Sequence, residues 1–312
     1  PYRKRVLRRI AHDVDVRTDI FGLRLNRVAR NGVLADKRVH RFEYDFTGRA
    51  LFNARVVLDV VAGDLDVMHV AIQLANARAL VVTDVITDDI RLVQVEYAQD
   101  WLSQPIEVEG MKQASWRTDP EQSGVGGSTG DIGTHAFNIA AFVTGLTLES
   151  VAADLQTFVP GRRVDDNANV LLRYAEGARG VLWCSQVATG MDNHLRLRVF
   201  GTKASVEWEQ ENPNYLWYAP LGEPRQLLTR GGAGTGADAG RMSRVPPGHP
   251  EGYLEGFGNI YTEAARAIRA RKAGQATPED VVFPTIDDGV EGVAFVDACV
   301  RSSARNAAWV KL

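Results

Sequence analysis

The chain has 312 residues, 45% of them apolar and 24% charged, a composition that suits one or two folded soluble domains and not a disordered segment. A formal net charge of -3 at pH 7 supplies no basic field of the kind that neutralises phosphates, so a nucleic-acid partner is not expected. Apolar runs such as residues 139–143 and 293–300 fall short of the roughly 20 residues that span a bilayer, so no membrane partner is expected either.

Cys184 and Cys299 stand far apart with no CxxC motif, which excludes a disulfide framework and a zinc site, and no metal is expected. The opening Arg3, Lys4, Arg5, Arg8 and Arg9 are not followed by the apolar stretch of a secretory signal, so a cytoplasmic location is expected.

In chain order, residues 66–72 and 80–86 read as short buried strands and 50–61 as a helix, which makes an α/β layer plausible without fixing it. From residue 90 onward a period of two takes over. Val93, Val95 and Tyr97 alternate with Gln94 and Glu96, and the same pattern recurs at Ala168 to Tyr174 and at Leu195 to Val199. With residues 150–159, 180–188 and 204–209 this gives about six strands joined by turns such as Glu176-Gly177, an open antiparallel sheet with one face covered by helices.

The covering helices are predicted over residues 131–144, 261–272 and 287–306. Ile132, Ala136, Ile139 and Val143 recur at helical spacing, Ser128 or Thr129 is the expected cap, and Gly145 the stop. Residues 230–252, rich in Gly and Pro, read as a long irregular segment of the kind that is usually functional or mobile. Trp183, Trp208 and Trp217 read as packing on a sheet face.

The most informative window runs from Trp116-Arg117-Thr118-Asp119-Pro120 through a glycine-rich loop, 124–130, to Asp131 and His135. In a helix starting near Asp131, the carboxylate and imidazole are i and i+4 neighbours opposite the apolar stripe and can act on one substrate. A histidine can accept a hydroxyl proton near neutral pH while a carboxylate orients it. The glycines would let the backbone pass close to a ligand. The alternative is an aspartate favoured by the helix dipole beside a surface histidine.

Arg117 and Asp119 are candidates to hold substrate hydroxyls, or else a structural pair. His249, Glu251 and Tyr253 offer polar groups for substrate contact, or else face solvent. The G-x-G-x-x-A match at 232–237 is a weak phosphate-loop signal, with neither a strand before it nor a helix after it.

These residues, with the strand opening RLVQVEYAQDWL and the ending FPTIDDGVEGVAFVDACVRSSARNAAWVKL, resemble the glucose-fructose oxidoreductase/inositol dehydrogenase (Gfo/Idh/MocA) family over residues 90–312. The resemblance implies an NAD(P)-dependent dehydrogenase with NAD or NADP as cofactor, acting on CH-OH groups of a sugar, inositol or related polyol. It further implies an N-terminal Rossmann domain, here a shortened or degenerate 1–89, then a C-terminal α+β substrate-binding and oligomerisation domain, 90–312, building a homodimer or homotetramer.

The family's D-x-x-x-H pair falls on Asp131 and His135, with the histidine as general base. Its catalytic lysine, from a Glu/Asp-Lys-Pro motif, falls on Lys37 after Asp36, although Arg38 stands where proline is expected. Asp36, Lys37 and Tyr44, in the Tyr44-Asp45-Phe46 exit segment, are then the cofactor-side candidates.

The G-x-G-x-x-G that seats a pyrophosphate on a helix N-terminus is missing from residues 1–89. Either the nucleotide domain is degenerate, or these residues stand in for parts of a longer chain. Two other functions stay open by the same resemblance: a catalytically silent oligomerisation or sugar-binding module, and an NAD-assisted glycoside-cleaving enzyme.

Overall fold

The computed structural model describes residues 90–312. The elements are numbered from there. A nine-stranded sheet has the order β8-β7-β6-β5-β1-β4-β3-β2-β9. Its strands are β1 Ile90–Ala98, β2 Leu148–Gln156, β3 Asn167–Tyr174, β4 Arg179–Ser185, β5 His194–Gly201, β6 Ala204–Glu209, β7 Tyr215–Pro220, β8 Gln226–Thr229 and β9 Val310–Lys311.

The alternation dictates which face each side chain takes. Val93, Val95 and Tyr97 of β1 are buried on one face, as are Leu182 and Cys184 of β4 and Leu195, Leu197 and Val199 of β5. The register sets these side by side: Val95 lies opposite Leu182 on β4 and opposite Leu197 on β5. The expectation of a wholly antiparallel sheet is corrected here, because β1 runs parallel to β4 while antiparallel to β5. Alternation carries no direction, and a parallel pair needs only a long crossover, which the chain between β1 and β4 supplies.

The buried face is covered by α3, Thr134–Thr144, and α6, Ile286–Ser303. Phe137 of α3 stacks on Phe295 of α6 with ring centroids 4.8 Å apart, and Phe295 is fully buried, worth roughly 1.5–3 kcal/mol by transfer. The helix expected over 131–144 divides into a π-helical turn, Thr129–Gly133, and α3 proper. Gly145 ends it as expected, at φ 68°, with its N–H bonded to the Ala141 carbonyl. The expected capping by Ser128 or Thr129 is not found, since both hydroxyls go to Asp165.

Two short helices, α1 Lys112–Arg117 and α2 Pro120–Ser123, lead from β1 to the glycine loop. The segment 230–252 is less irregular than its composition suggests. It holds α4, Ala237–Met242, and is tied down by Arg230, which pairs with Glu251 at 2.6 Å and donates to the carbonyls of Val245, Pro246 and His249.

The next helix, α5, spans Tyr253–Lys272 and starts earlier than the predicted 261. Gly256 and Gly258 mask its pattern, and the Arg244 guanidinium packs closely on the second, 3.2 Å from where a Cβ would stand. Among the described residues no helix is long and apolar enough to cross a membrane, and no group of three or more His, Cys, Asp or Glu is placed to hold a metal.

Candidate functional site

The glycine loop is shaped by packing against the turn that precedes β3. Asp165 is buried there and its carboxylate accepts from Gly127 N–H at 2.7 Å, Ser128 Oγ at 2.7 Å, and both the N–H and Oγ1 of Thr129 at 2.8 Å. Four donors satisfy one buried charge, and two of them are backbone groups entering the helical segment, where the dipole also favours an anion. A Cβ on Gly127 would meet the Asp165 carbonyl oxygen at 2.0 Å, and one on Gly126 would meet Val296 at 2.8 Å. The expected reason for these two glycines, close approach of a ligand, is therefore replaced by close approach of protein. Gly130 differs: among the described residues nothing stands within 4 Å of a Cβ there.

A second buried carboxylate supports the same turn. Asp166 pairs with Arg162 at 3.2 Å and accepts from Phe158 and Val159 N–H, and Arg162 also holds Glu107 at 3.0 Å. Burial alone would raise the Glu107 carboxyl, but hydrogen bonds from Arg162 and the charge of that guanidinium hold it below its ordinary value.

On this footing the π-helical turn presents Asp131 and α3 presents His135. Asp131 Oδ2 accepts from Gln186 Nε2 at 2.7 Å and forms an ion pair with Arg117 Nε at 3.2 Å. The widened π turn lies between the two residues, so regular i, i+4 spacing does not apply. His135 is 6% exposed, not the surface histidine of the alternative reading, nor opposite the apolar stripe, since α3 is buried nearly all round. Its ring lies against Tyr97 of β1, centroids 5.8 Å apart, and the Tyr97 hydroxyl donates to Asn193 at 2.7 Å.

The structure joins Arg117 to Asp131 and sets the Arg117 guanidinium over the Trp116 ring at 4.3 Å, with Trp101 at 6.0 Å. Asp119 does something else: it caps α2 through Glu121 N–H and pairs with Arg163, and a hydrogen bond from Gln122, then those from Glu121 and Arg163, hold its carboxyl below the ordinary value. Arg117 and Asp119 therefore do not form a pair with each other.

His249 and Tyr253 are exposed and neither is a partner of Asp131. The His249 carbonyl accepts from Arg230, and the Tyr253 ring meets Phe257 edge-on at 4.9 Å. Glu251 is buried in the ion pair with Arg230. Asp36, Lys37 and Tyr44 lie outside the described residues.

The 232–237 match does run from a strand, β8, into a helix, α4, contrary to the expectation from composition. It is still no dinucleotide unit, because β8 is an antiparallel edge strand, the helix has 6 residues, and Gly232 is needed to clear the Thr229 hydroxyl. Cys184 of β4 and Cys299 of α6 are buried in the core between the sheet and its helices, and burial pushes both thiols well above the ordinary 9.0, as for structural cysteines.

Sequence reasoning missed Gln186, Asp165 and Tyr97. Tyr97 was legible only as a core position of a strand. Gln186 carried one signal, a buried-length polar side chain directly after the alternating β4, and Asp165 another, the first of two adjacent acids before a strand.

Residues 74–207 match the family model described as GFO/IDH/MocA C-terminal domain. This chain carries a GFO/IDH/MocA C-terminal domain. Among curated relatives, the uncharacterized oxidoreductase YfiI of Bacillus subtilis is 35% identical over 245 residues, 76% of this chain and 61% of that protein. The chain thus spans about three-fifths of the length of that curated relative.

Among solved structures, an oxidoreductase from Sinorhizobium meliloti is 52% identical with a TM-score of 0.63, covering 81% of this chain and 63% of the other. An inositol dehydrogenase homolog from Azotobacter vinelandii, complexed with NAD+, is 35% identical with a TM-score of 0.73, covering 79% of this chain and 64% of the other. That homolog is also solved with NADH and myo-inositol. GFO/IDH/MocA relatives of this chain are therefore oxidoreductases, and some are crystallised with NAD+ or NADH.

Proposed function

We propose that the chain acts as an NAD(P)-dependent oxidoreductase that moves hydride between a secondary alcohol of a sugar, inositol or related polyol and a nicotinamide. The observation that carries this reading is the placement of His135, buried against Tyr97, on the helix that continues from an Asp131 carboxylate held by Gln186 and Arg117. A preorganised histidine and carboxylate suit removal of a hydroxyl proton, the part of an alcohol oxidation that side chains must supply.

In this reading His135 accepts the proton of the substrate hydroxyl as the carbinol C–H is lost as hydride. Asp131 orients the reacting group, and Arg117 binds neighbouring hydroxyls. Lys37 polarises the developing carbonyl, with Asp36 and Tyr44 on the cofactor side. When bound, the nicotinamide supplies the two-electron acceptor. The described residues supply the substrate half of this chemistry, and the reading keeps two domains, 1–89 for the nucleotide and 90–312 for substrate and oligomerisation. NAD is favoured over NADP by the complexes of the relatives.

The partner reading is a homodimer or homotetramer. Leu92, Leu171, Val181 and Trp217 are exposed on strands of the sheet face that no helix of the core covers, an apolar set that a second sheet would bury. A cytoplasmic enzyme is the corresponding location.

The test is reduced-nicotinamide formation by the purified chain with NAD or NADP against a panel of polyols, together with Asp131→Asn and His135→Ala. Polyol-dependent reduction that either variant abolishes supports the reading. Reduction indifferent to both variants overturns the assigned roles, and none with any polyol leaves the silent sugar-binding module as the better account.

A further inference from the structure

We infer that Gln186 is a positioning residue for Asp131, a role that rests on the proposed dehydrogenase reading and adds to it. Gln186 is 2% exposed, and its backbone is fixed on both sides: its N–H donates to the Asp166 carbonyl at 2.9 Å and its carbonyl accepts from Leu102 N–H at 3.1 Å. From this fixed backbone, one residue past the end of β4, the side chain meets Asp131 Oδ2 at 2.7 Å. A carboxylate only accepts, so the amide must present its NH2 end, and it does so without adding charge.

Arg117 meets the same oxygen from α1 at 3.2 Å. That contact is an ion pair outside hydrogen-bond geometry, so among the described residues Gln186 is the hydrogen-bond donor to this oxygen, and Oδ1 has none. In the proposed reading this second oxygen serves the reacting group. Arg117 lies at a partly exposed position and supplies charge. Gln186 is buried and supplies direction, so the angle of the carboxylate depends on the amide.

Two substitutions separate positioning from packing. Gln186→Met keeps the length and removes the donor, and kcat is expected to fall about 10- to 100-fold with KM for the polyol little changed and the unfolding midpoint near that of the wild type. Gln186→Glu can donate only when protonated, so its kcat relative to the wild type rises as pH falls. A purely structural glutamine predicts neither the split between kcat and KM nor the pH-dependent rescue.

If the wild type turns over polyol, Asp131→Asn does not, and Gln186→Met is as active as the wild type, the positioning role is wrong while the dehydrogenase reading stands. If the wild type itself reduces no nicotinamide with any polyol, the dehydrogenase reading fails and the positioning role with it.

Discussion

Removing the Asp165 carboxylate would strand four donors at once, two of them backbone N–H groups with no other acceptor in the loop geometry described. Asp165→Ala is therefore expected to lower the unfolding free energy by about 3 kcal/mol or more, read from urea midpoints, and a loss below about 1 kcal/mol would mean the donors find other acceptors. Gly127→Ala tests the same contact from the other side, because its new Cβ would stand 2.0 Å from the Asp165 carbonyl oxygen. A loss of about 1–3 kcal/mol is expected, not additive with that of Asp165→Ala.

These residues also mark where the sequence stopped being readable. Asp131 and His135 stand out in the sequence because they lie four positions apart in one segment. Gln186 reaches Asp131 across 55 positions and Asp165 reaches Thr129 across 36, and no local period encodes such a contact. Asp119 was misread for the related reason that its neighbour in sequence, Arg117, turns to Asp131 while its own partner, Arg163, comes from the loop after β2.

Among the elements, β1 to β6 and the body of α3 follow from alternation and apolar spacing, whereas the short β7, β8 and β9 and the pairing of β1 do not. Val93, Val95 and Tyr97 would look the same beside a parallel or an antiparallel neighbour, so the order β5-β1-β4 had to come from the fold. The start of α5 was hidden by Gly256 and Gly258 and is fixed by Glu255, whose carboxylate accepts from the Gly252 N–H at 2.9 Å.

This helix supports a pH prediction. Burial alone would raise the Glu263 carboxyl, but the Val282 N–H, Arg241 and Arg266 hold it below its ordinary 4.5. A depressed carboxylate contributes stability that is complete above the unfolded value and lost as pH falls through the folded one. The attachment of the 274–284 loop to α5 is therefore expected to weaken below about pH 4.5, and Glu263→Gln to show a shallower acid loss of stability than the wild type between pH 6 and 3. Equal slopes for the two proteins would contradict it.

For the whole molecule, the helices α3 and α6 cover one face of the sheet and leave Leu171 51% and Val181 43% exposed on adjacent, directly paired positions of β3 and β4 on the other. The proposed homo-oligomer buries this face, so Leu171→Asp with Val181→Asp is expected to shift the chain to monomers in sedimentation or light scattering while the fold survives. Oligomers unchanged by the pair of charges would place the interface elsewhere.

In the proposed chemistry His135, with Asp131 near it in sequence, withdraws a hydroxyl proton from a polyol in a nicotinamide-linked oxidation. The most direct measurement is the rate of NADH appearance with NAD and a polyol that the wild type accepts, for the wild type and His135→Ala side by side. A fall of about 100- to 10,000-fold in kcat/KM is expected, the range for losing a general base. An alanine variant that reduces NAD at the wild-type rate would contradict it.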